Sequence, residues 1–401
     1  MVVERILPGG LGLAHAGGRT VMVPLTAPGD RVRVHIDRVK GNVAFASIQE
    51  VIEASPARVE PPCPYFGRCG GCDFQQLNYP AQLAAKSEII RDCLRRIGGV
   101  GSIPDFEIAA APSAWHYRAR AQWQYDAMRK RLGYFESGSR RVCDVVECAV
   151  LAPELQSELE SLRVRMQQGA LPDDARHFRV LSGDEEISIV DDHGRNPMSQ
   201  SRQVGIVGGP SSVRDITRTV HGENYRLNAT SFFQANHALA PALIDSAVGA
   251  EEGKTAVELY CGVGLFTLPL ARRFETVVAV EGDTVATEFA RHSLAQANLA
   301  NVYIVNNEVA VWLENPTSSY PDDIDLLLLD PPRTGAESRV ISGILRLQPQ
   351  RICYVSCDPA TLARDLKKLT GGGYKIDRLA AFDMFPQTHH VETVAHLAIC
   401  D

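Results

Sequence analysis

The sequence predicts a multidomain protein: a small N-terminal β-barrel, an α+β central part, and a C-terminal α/β domain on a parallel, doubly wound sheet. Three observations point there. The chain has 401 residues, enough for two to four domains of about 100–200 residues each. Residues 1–55 alternate β-formers with Gly and Pro turns, the pattern of a small barrel. From residue 238 onward, apolar β runs alternate with helical stretches, as in a parallel sheet covered by helices. A hydrophobic share of 45% and a charged share of 22% exclude a mainly disordered, collagen-like or coiled-coil chain.

The elements follow in order. PGGLGLAHAGGRTVMVPLTAPGDRVRVHI reads as short strands separated by turns. Pro56, Pro61, Pro62 and Pro64 mark a rigid connection. YPAQLAAKSEIIRDCLRRIGG is a helix with Pro80 in its first turn and Gly98-Gly99 as its stop. Residues 115–230 read as irregular β structure broken by one helix near 152–168. TAVELY, TVVAVE, VYIVN, IDLLLLD and RICYVS are the strands of the last part. The sequence contains no internal repeat and no low-complexity tract.

The chain carries 41 Lys+Arg against 48 Asp+Glu, a net charge of −7. Spread evenly, that would argue against a nucleic-acid partner. It is not spread evenly: residues 1–150 hold 19 basic and 15 acidic residues, and residues 151–401 hold 22 and 33. In residues 116–141, Arg118, Arg120, Arg129, Lys130, Arg131, Arg140 and Arg141 interleave with Tyr117, Trp123, Tyr125, Tyr134 and Phe135. Such a stretch suits phosphate contact plus base stacking, with Arg118 and Arg120 as candidate contacts. It equally suits an amphipathic hairpin with a solvated basic face. No apolar run approaches the ~18–20 residues of a membrane span. MVVERILPGG also lacks a signal-peptide pattern. A cytoplasmic location is therefore expected, where ten cysteines read as metal ligands, nucleophiles or buried thiols rather than disulfides.

Cys63, Cys69 and Cys72 form C-x5-C-x2-C, with Gly70 and Gly71 letting the backbone wrap closely. Three thiols so near want a metal and a fourth ligand, for which Cys93, Cys143 and Cys148 are candidates. Thiolate ligation suits zinc or an iron–sulfur cluster. A set of buried free thiols is the bland alternative.

TAVELYCGVGLFTLPLA is a strand, a glycine turn and a helix, in which Gly262 and Gly264 allow close backbone approach. Glu281 ends the next strand, where a carboxylate can hold both ribose hydroxyls. Without a full G-x-G-x-x-G, one nucleoside's worth of contacts points to S-adenosylmethionine rather than NAD. A glycine turn without a ligand is the alternative. Asp330 ends IDLLLLD, and Cys357 ends the next strand just ahead of a helix, where its thiolate is favoured. MFPQTHHVETV adds His389, His390 and Glu392. A thiolate and a carboxylate beside a methyl donor suit methylation of a pyrimidine at carbon 5. That carbon becomes nucleophilic only after a thiolate adds to carbon 6. Cys261, Cys353 and Cys400 read as structural thiols.

SPARVEPPCPYFGRCGGCDFQQLNYPAQLAAK, LNATSFFQANHALAPAL, ELYCGVGLFTLPLA, LDPPRTG, YVSCDPATLARDL and DMFPQTHHVE together resemble the RNA uracil-5-methyltransferases. The resemblance runs nearly end to end. It is to members with an N-terminal TRAM domain and an iron–sulfur cluster, most of all those acting on 23S rRNA. It implies an OB-like TRAM domain over 1–57 and a central iron–sulfur and RNA-binding domain over 58–230, whose helix 80–98 could pack on the catalytic domain. A class I, Rossmann-like, S-adenosylmethionine-dependent domain would span 231–401. It implies a four-iron, four-sulfur cluster on Cys63, Cys69, Cys72 and Cys148. Gln234, Tyr260, Leu265, Glu281, Glu308 and Asp330 fall on the methyl-donor site. Cys357 falls on the nucleophile, Glu392 on the proton-abstracting base and Phe232 near the flipped target base. Leu265 could offer only its backbone, and Glu308 stands where an amide is expected. Asp358 stands where Asn is common, beside a thiol that must ionise. The expected partner is RNA, with no membrane and no obligate protein partner. The rivals are the same chemistry on the tRNA T-loop, an iron–sulfur redox enzyme, and a non-catalytic RNA-binding assembly factor. A radical enzyme is disfavoured by the cysteine spacing, which differs from C-x3-C-x2-C.

Overall fold

The computed structural model describes residues 1–198, 213–314 and 323–400. Its first five strands are β1 (Val3–Ile6), β2 (Leu11–Ala16), β3 (Arg19–Pro24), β4 (Arg31–Lys40) and β5 (Val43–Glu53), in the order β1-β2-β3-β5-β4. A bridge between Val2 and Arg31 joins the two edges, so few strand edges stay open. Gly17 and Gly18 both sit at positive φ, as the two-residue turn between β2 and β3 requires. The sheet's core is small, formed by Val21, Val23, Ala44 and Ala46. Buried Asp30 ties it to the next segment through Arg58 Nη2 at 2.7 Å.

Helix α1 (Tyr79–Arg96) starts on Asn78, whose Oδ1 accepts from the Ala81 N–H at 3.0 Å. It buries Ala85, Ile89, Ile90, Cys93 and Leu94. β6 (Ile108–Ala109) follows. β7 (Arg120–Asp126), β8 (Arg131–Phe135), β9 (Val142–Asp144), α2 (Pro153–Gln167), β10 (His177–Ser182) and β11 (Ile187–Asp191) then build the central unit. Its sheet runs β11-β10-β7-β8-β9. α2 covers one face, its Leu155, Leu159, Leu162 and Met166 sharing a core with Trp123 and Phe178. A hairpin of β12 (Ile216–Val220) and β13 (Glu223–Leu227) leads into the last part.

There the chain forms α3 (Ala240–Val248), β14 (Gly253–Leu259), α4 (Thr267–Ala271), β15 (Phe274–Glu281), α5 (Thr284–Gln296), β16 (Val302–Asn306) and α6 (Val309–Glu314). β17 (Leu326–Leu329), α7 (Ser338–Leu347), β18 (Arg351–Ser356), α8 (Pro359–Gly371), β19 (Tyr374–Phe382) and β20 (Glu392–Ile399) complete it. The sheet order is β16-β15-β14-β17-β18-β20-β19-β6. The strands from β14 to β18 are parallel, as their unbroken apolar runs predict, and β20 inserts antiparallel beside β18. Among the described residues no helix is long and apolar enough to cross a membrane.

Residues from the first third of the chain complete this sheet. β6 pairs in parallel with β19, at Ile108 with Ala381 and Ala109 with Phe382. The buried face of α1 lies in the same core cluster as Leu362, Leu366 and Leu369 of α8. Lys86 on α1 is fully buried and pairs with equally buried Asp383, while donating to the Phe385 carbonyl at 3.0 Å. Burial lowers the Lys86 pKa, and the Asp383 charge opposes that. Lys86→Met is therefore expected to cost about 3–5 kcal/mol, because it strands a buried carboxylate. Chemical denaturation checks this, and pairing it with Asp383→Leu should recover most of the loss.

Candidate active site

The catalytic candidates meet because strands that are neighbours in the sheet end together. Leu329 pairs with Tyr354 and Ser356 pairs with Thr393. The next residues along, Asp330, Cys357 and Glu392, therefore emerge at one edge of the sheet, at the carboxyl ends of β17 and β18. Ligands bind at that edge in open α/β sheets. Contrary to the expectation of a favoured thiolate, burial pushes the Cys357 thiol up to about 12, helped by the Glu392, Asp330 and Asp358 charges and opposed by Arg333. Burial raises Asp330 to about 7. Glu392 lies well above the carboxylate range, through burial and then the Asp330 charge, with Arg333 opposing. Asp358 is the cap of α8, its Oδ1 accepting from the Ala360 and Thr361 N–H groups at 2.9 Å.

The glycine turn lies one strand away. Tyr260 takes a left-handed conformation (φ 64°) at the end of β14, a strained state for a residue with a large side chain. Gly262 (φ 54°) and Gly264 (φ 94°) continue the turn, with open space above Gly262. Glu281 Oε2 accepts from the Gly262 N–H at 3.0 Å and Oε1 from the Asp283 N–H at 2.8 Å. Each oxygen keeps a lone pair for a hydroxyl. Leu265 is buried, and its carbonyl accepts from the Tyr225 hydroxyl at 3.1 Å. Its side chain thus serves the core and its carbonyl is occupied. Glu308 is exposed beside Gly282, where β15 meets α5. Gln234 is buried. The sequence reading missed Glu258, buried under this turn and accepting from the Thr267 hydroxyl at 2.5 Å. Burial, with the Asp330 and Glu281 charges, raises it to about 8, the Thr267 bond opposing. A carboxylate inside the apolar run TAVELY was the available signal.

Cys63, Cys69, Cys72 and Cys148 line one cavity together with Gly71, Gln75, Tyr134 and Arg118. The Gly71 N–H donates to Cys69 Sγ at 3.4 Å. Burial raises Cys69 to about 12 and Cys72 to about 11. Cys143 is buried outside the cavity lining, its sulfur accepting from Arg68 Nε and Nη2 at 3.3 and 3.2 Å. Cys93 belongs to the core under α1. Among the described residues, no three His, Cys, Asp or Glu side chains converge tightly enough for a single metal ion.

The cysteine segment also touches the loop that leads to Glu392. The Asp73 and Phe74 N–H groups donate to the Gln387 carbonyl at 3.1 and 3.0 Å, and the Asp73 carboxylate pairs with the His389 ring. His390 is driven down to about 3 by burial and by neighbouring His389, Arg333, Lys86 and Arg118.

The basic, aromatic stretch divides. Tyr117, Trp123 and Tyr125 are buried, so most of its rings serve the core rather than stacking on a ligand. Arg120 lies over the ring of Phe232, 5.4 Å from its centroid, and Phe232 is 60% exposed. Arg118, expected beside Arg120 as a substrate contact, lines the cysteine cavity instead.

Residues 213–399 match the family described as tRNA (uracil-5-)-methyltransferase. Residues 1–57 match the TRAM domain of tRNA (uracil(54)-C(5))-methyltransferase. The chain is 32% identical to the 23S rRNA (uracil(1939)-C(5))-methyltransferase RlmD of Pectobacterium atrosepticum, over 98% of this chain and 92% of that protein. It is likewise 32% identical to the RlmD of Pseudomonas putida, over 98% and 92%. The structure resembles the Pyrococcus abyssi tRNA (uracil-54, C5)-methyltransferase solved with S-adenosyl-L-homocysteine. The TM-score is 0.75 at 27% identity, over 99% of this chain and 100% of that one. With relatives at this identity along its whole length, the chain belongs to the RNA uracil-C5-methyltransferase family.

Proposed function

We propose that this protein methylates carbon 5 of a specific uridine in 23S rRNA, in the cytoplasm, through a covalent adduct on Cys357. The observation that carries the reading is the meeting of Cys357, Glu392 and Asp330 at one sheet edge, next to the Gly262–Glu281 turn. S-adenosylmethionine supplies a methyl group bound to a sulfonium, and Gln234, Tyr260, Gly262, Gly264, the Leu265 backbone, Glu281, Glu308 and Asp330 would hold it. The target uridine must leave its stack, and Phe232 with Arg120 over its ring offers a stacking platform. The Cys357 thiolate bonds to carbon 6, and the ring electrons move toward carbon 5. Carbon 5 takes the methyl group as the sulfonium–methyl bond breaks, leaving a neutral thioether, and becomes tetrahedral. Glu392 removes the carbon-5 proton, and the electron pair left behind expels the thiolate. Proton removal needs Glu392 in its ionised form, and a carboxylate whose surroundings favour the proton is, once ionised, a stronger base for that step.

Residues 1–57 and the central unit 58–230 would grip the RNA, with 231–401 as the catalytic domain. The similarity to the two RlmD enzymes supports rRNA as substrate, and the likeness to the P. abyssi enzyme supports a second reading, a tRNA T-loop uridine. Transfer of labelled methyl groups into separated 23S rRNA and tRNA, followed by mapping of the base, decides between them. Label in neither RNA would sink both.

The four-cysteine cavity fits a four-iron, four-sulfur cluster on Cys63, Cys69, Cys72 and Cys148. Thiolate-only ligation suits such a cluster, which would hold each thiolate on a different iron, and four thiols lining one cavity are what supports the reading. The cluster would supply a rigid anionic cross-link between loops, since the methylation needs no electron transfer. Cys148→Ser is expected to bleach the brown colour of the purified protein, and Cys143→Ser to leave it. The reverse pattern in the visible spectrum would make Cys143 the ligand.

A further inference from the structure

Arg118 is clamped beside the segment that carries Cys148. Its N–H donates to the Val150 carbonyl at 2.8 Å, and its own carbonyl accepts from the Ala152 N–H at 3.0 Å. The side chain lies in the wall of the cysteine cavity. There its charge is felt by Cys72, Cys148 and Tyr134. Its Nε is buried and has no hydrogen-bond partner. No carboxylate among the described residues forms an ion pair with it, whereas the largely buried Arg58 and Arg163 each have one, Asp30 and Asp144. A buried cation without a counter-charge is strongly unfavourable. The groups facing this one are the neutral hydroxyls of Tyr117 and Tyr134 and the thiols of Cys72 and Cys148, and of these the thiols become anions when they bind a metal.

We propose that Arg118 is the internal counter-cation of the thiolate–metal centre formed by Cys63, Cys69, Cys72 and Cys148, not a residue that touches RNA. The proposal rests on the reading of those cysteines as cluster ligands. Four thiolates around a cationic iron–sulfur core would leave a net negative charge in a partly buried cavity. A fixed guanidinium beside two of the sulfurs offsets part of that charge, and its unpartnered N–H can donate to sulfur. Free thiols would leave Nε orphaned, whereas a loaded centre gives it a partner. Arg118 thus holds the metal centre in its anionic state and raises its reduction potential by favouring the added electron.

The test uses full-length protein purified without oxygen, as wild type, Arg118→Gln and Arg118→Lys. Iron and sulfide content, the rate of iron loss to a chelator, and the midpoint potential are measured for each. Arg118→Gln is expected to lose iron roughly tenfold faster or more, with a lowered midpoint potential. Arg118→Lys, which keeps the charge but not the planar fork, should fall between. The thermal shift given by S-adenosyl-L-homocysteine reports whether the catalytic domain is folded. If Arg118→Gln fails that control, the lysine variant decides, and iron retention below wild type supports the proposal. Wild-type iron retention and potential in Arg118→Gln would overturn it, as would an intact centre with a salt-dependent loss of RNA affinity. A wild-type chain that takes up no iron and sulfide would overturn the cluster reading itself, so the two failures are distinguishable.

Discussion

Cys357→Ala is expected to reduce methyl transfer by about 10⁴-fold or more, while RNA and S-adenosylmethionine still bind. Carbon 5 of uracil is conjugated to the ring carbonyls and barely nucleophilic, and addition at carbon 6 is what activates it. The two other thiols on the strands of this edge are taken: Cys353 is buried within β18 and Cys261 is buried at the glycine turn. Losing one sulfur from a half-buried position at a strand end leaves no large cavity, so the fold should persist. Labelled-methyl incorporation measures the activity and filter binding measures the RNA affinity. Loss of both together would contradict the nucleophile role.

Glu392→Gln should behave differently: one round of methylation, then arrest, with RNA attached to the protein. Glutamine keeps the shape of the side chain but cannot take the carbon-5 proton, and without that step the thiolate cannot leave. In its ionised form Glu392 is also the charge that most raises the Cys357 thiol, and the substitution removes it, which favours adduct formation. A band of protein-linked RNA on a denaturing gel is the expected result, and its absence would put the base assignment in trouble. Stability gives an independent check. A carboxylate whose folded pKa is raised, as for Glu392, takes stability away as pH climbs from its unfolded value through the folded one, because the folded state binds more protons there. At neutral pH and above, Glu392→Gln should therefore unfold no sooner than wild type.

The meeting of Asp330, Cys357 and Glu392, the proposed catalytic trio, was legible because each borders an apolar strand, and strand ends are what sequence pattern locates best. Asp330 closes LLLLD and Cys357 closes CYVSC. That Cys63, Cys69 and Cys72 share one cavity was legible from their spacing. The clasp around the catalytic loop was not. Lys86 reads as a solvent-facing helix residue, and only its distant partner Asp383 makes its burial tolerable. β6 is two residues long and carries no periodicity, so its place in the catalytic sheet was invisible. Arg118 stands in a basic run that reads as an RNA contact, while the structure places its side chain in the wall of the cysteine cavity. A run of arginines records composition, whereas the direction of each side chain is set by what clamps its backbone, here Val150 and Ala152.

The union of α1 and β6 with the last strands has a consequence for biosynthesis. Lys86 and Asp383 are 297 residues apart. At about 5–20 residues per second, α1 waits on the order of 15–60 s on the ribosome before its docking site has been made. Through that interval its apolar stripe faces water or a chaperone. The barrel ahead of it can close within the first strands translated, but the catalytic sheet gains its outer edge only as the final strand emerges. Refolding from denaturant should therefore be faster for the N-terminal barrel than for the catalytic sheet, whose slow step is the long loop closure that brings α1 home.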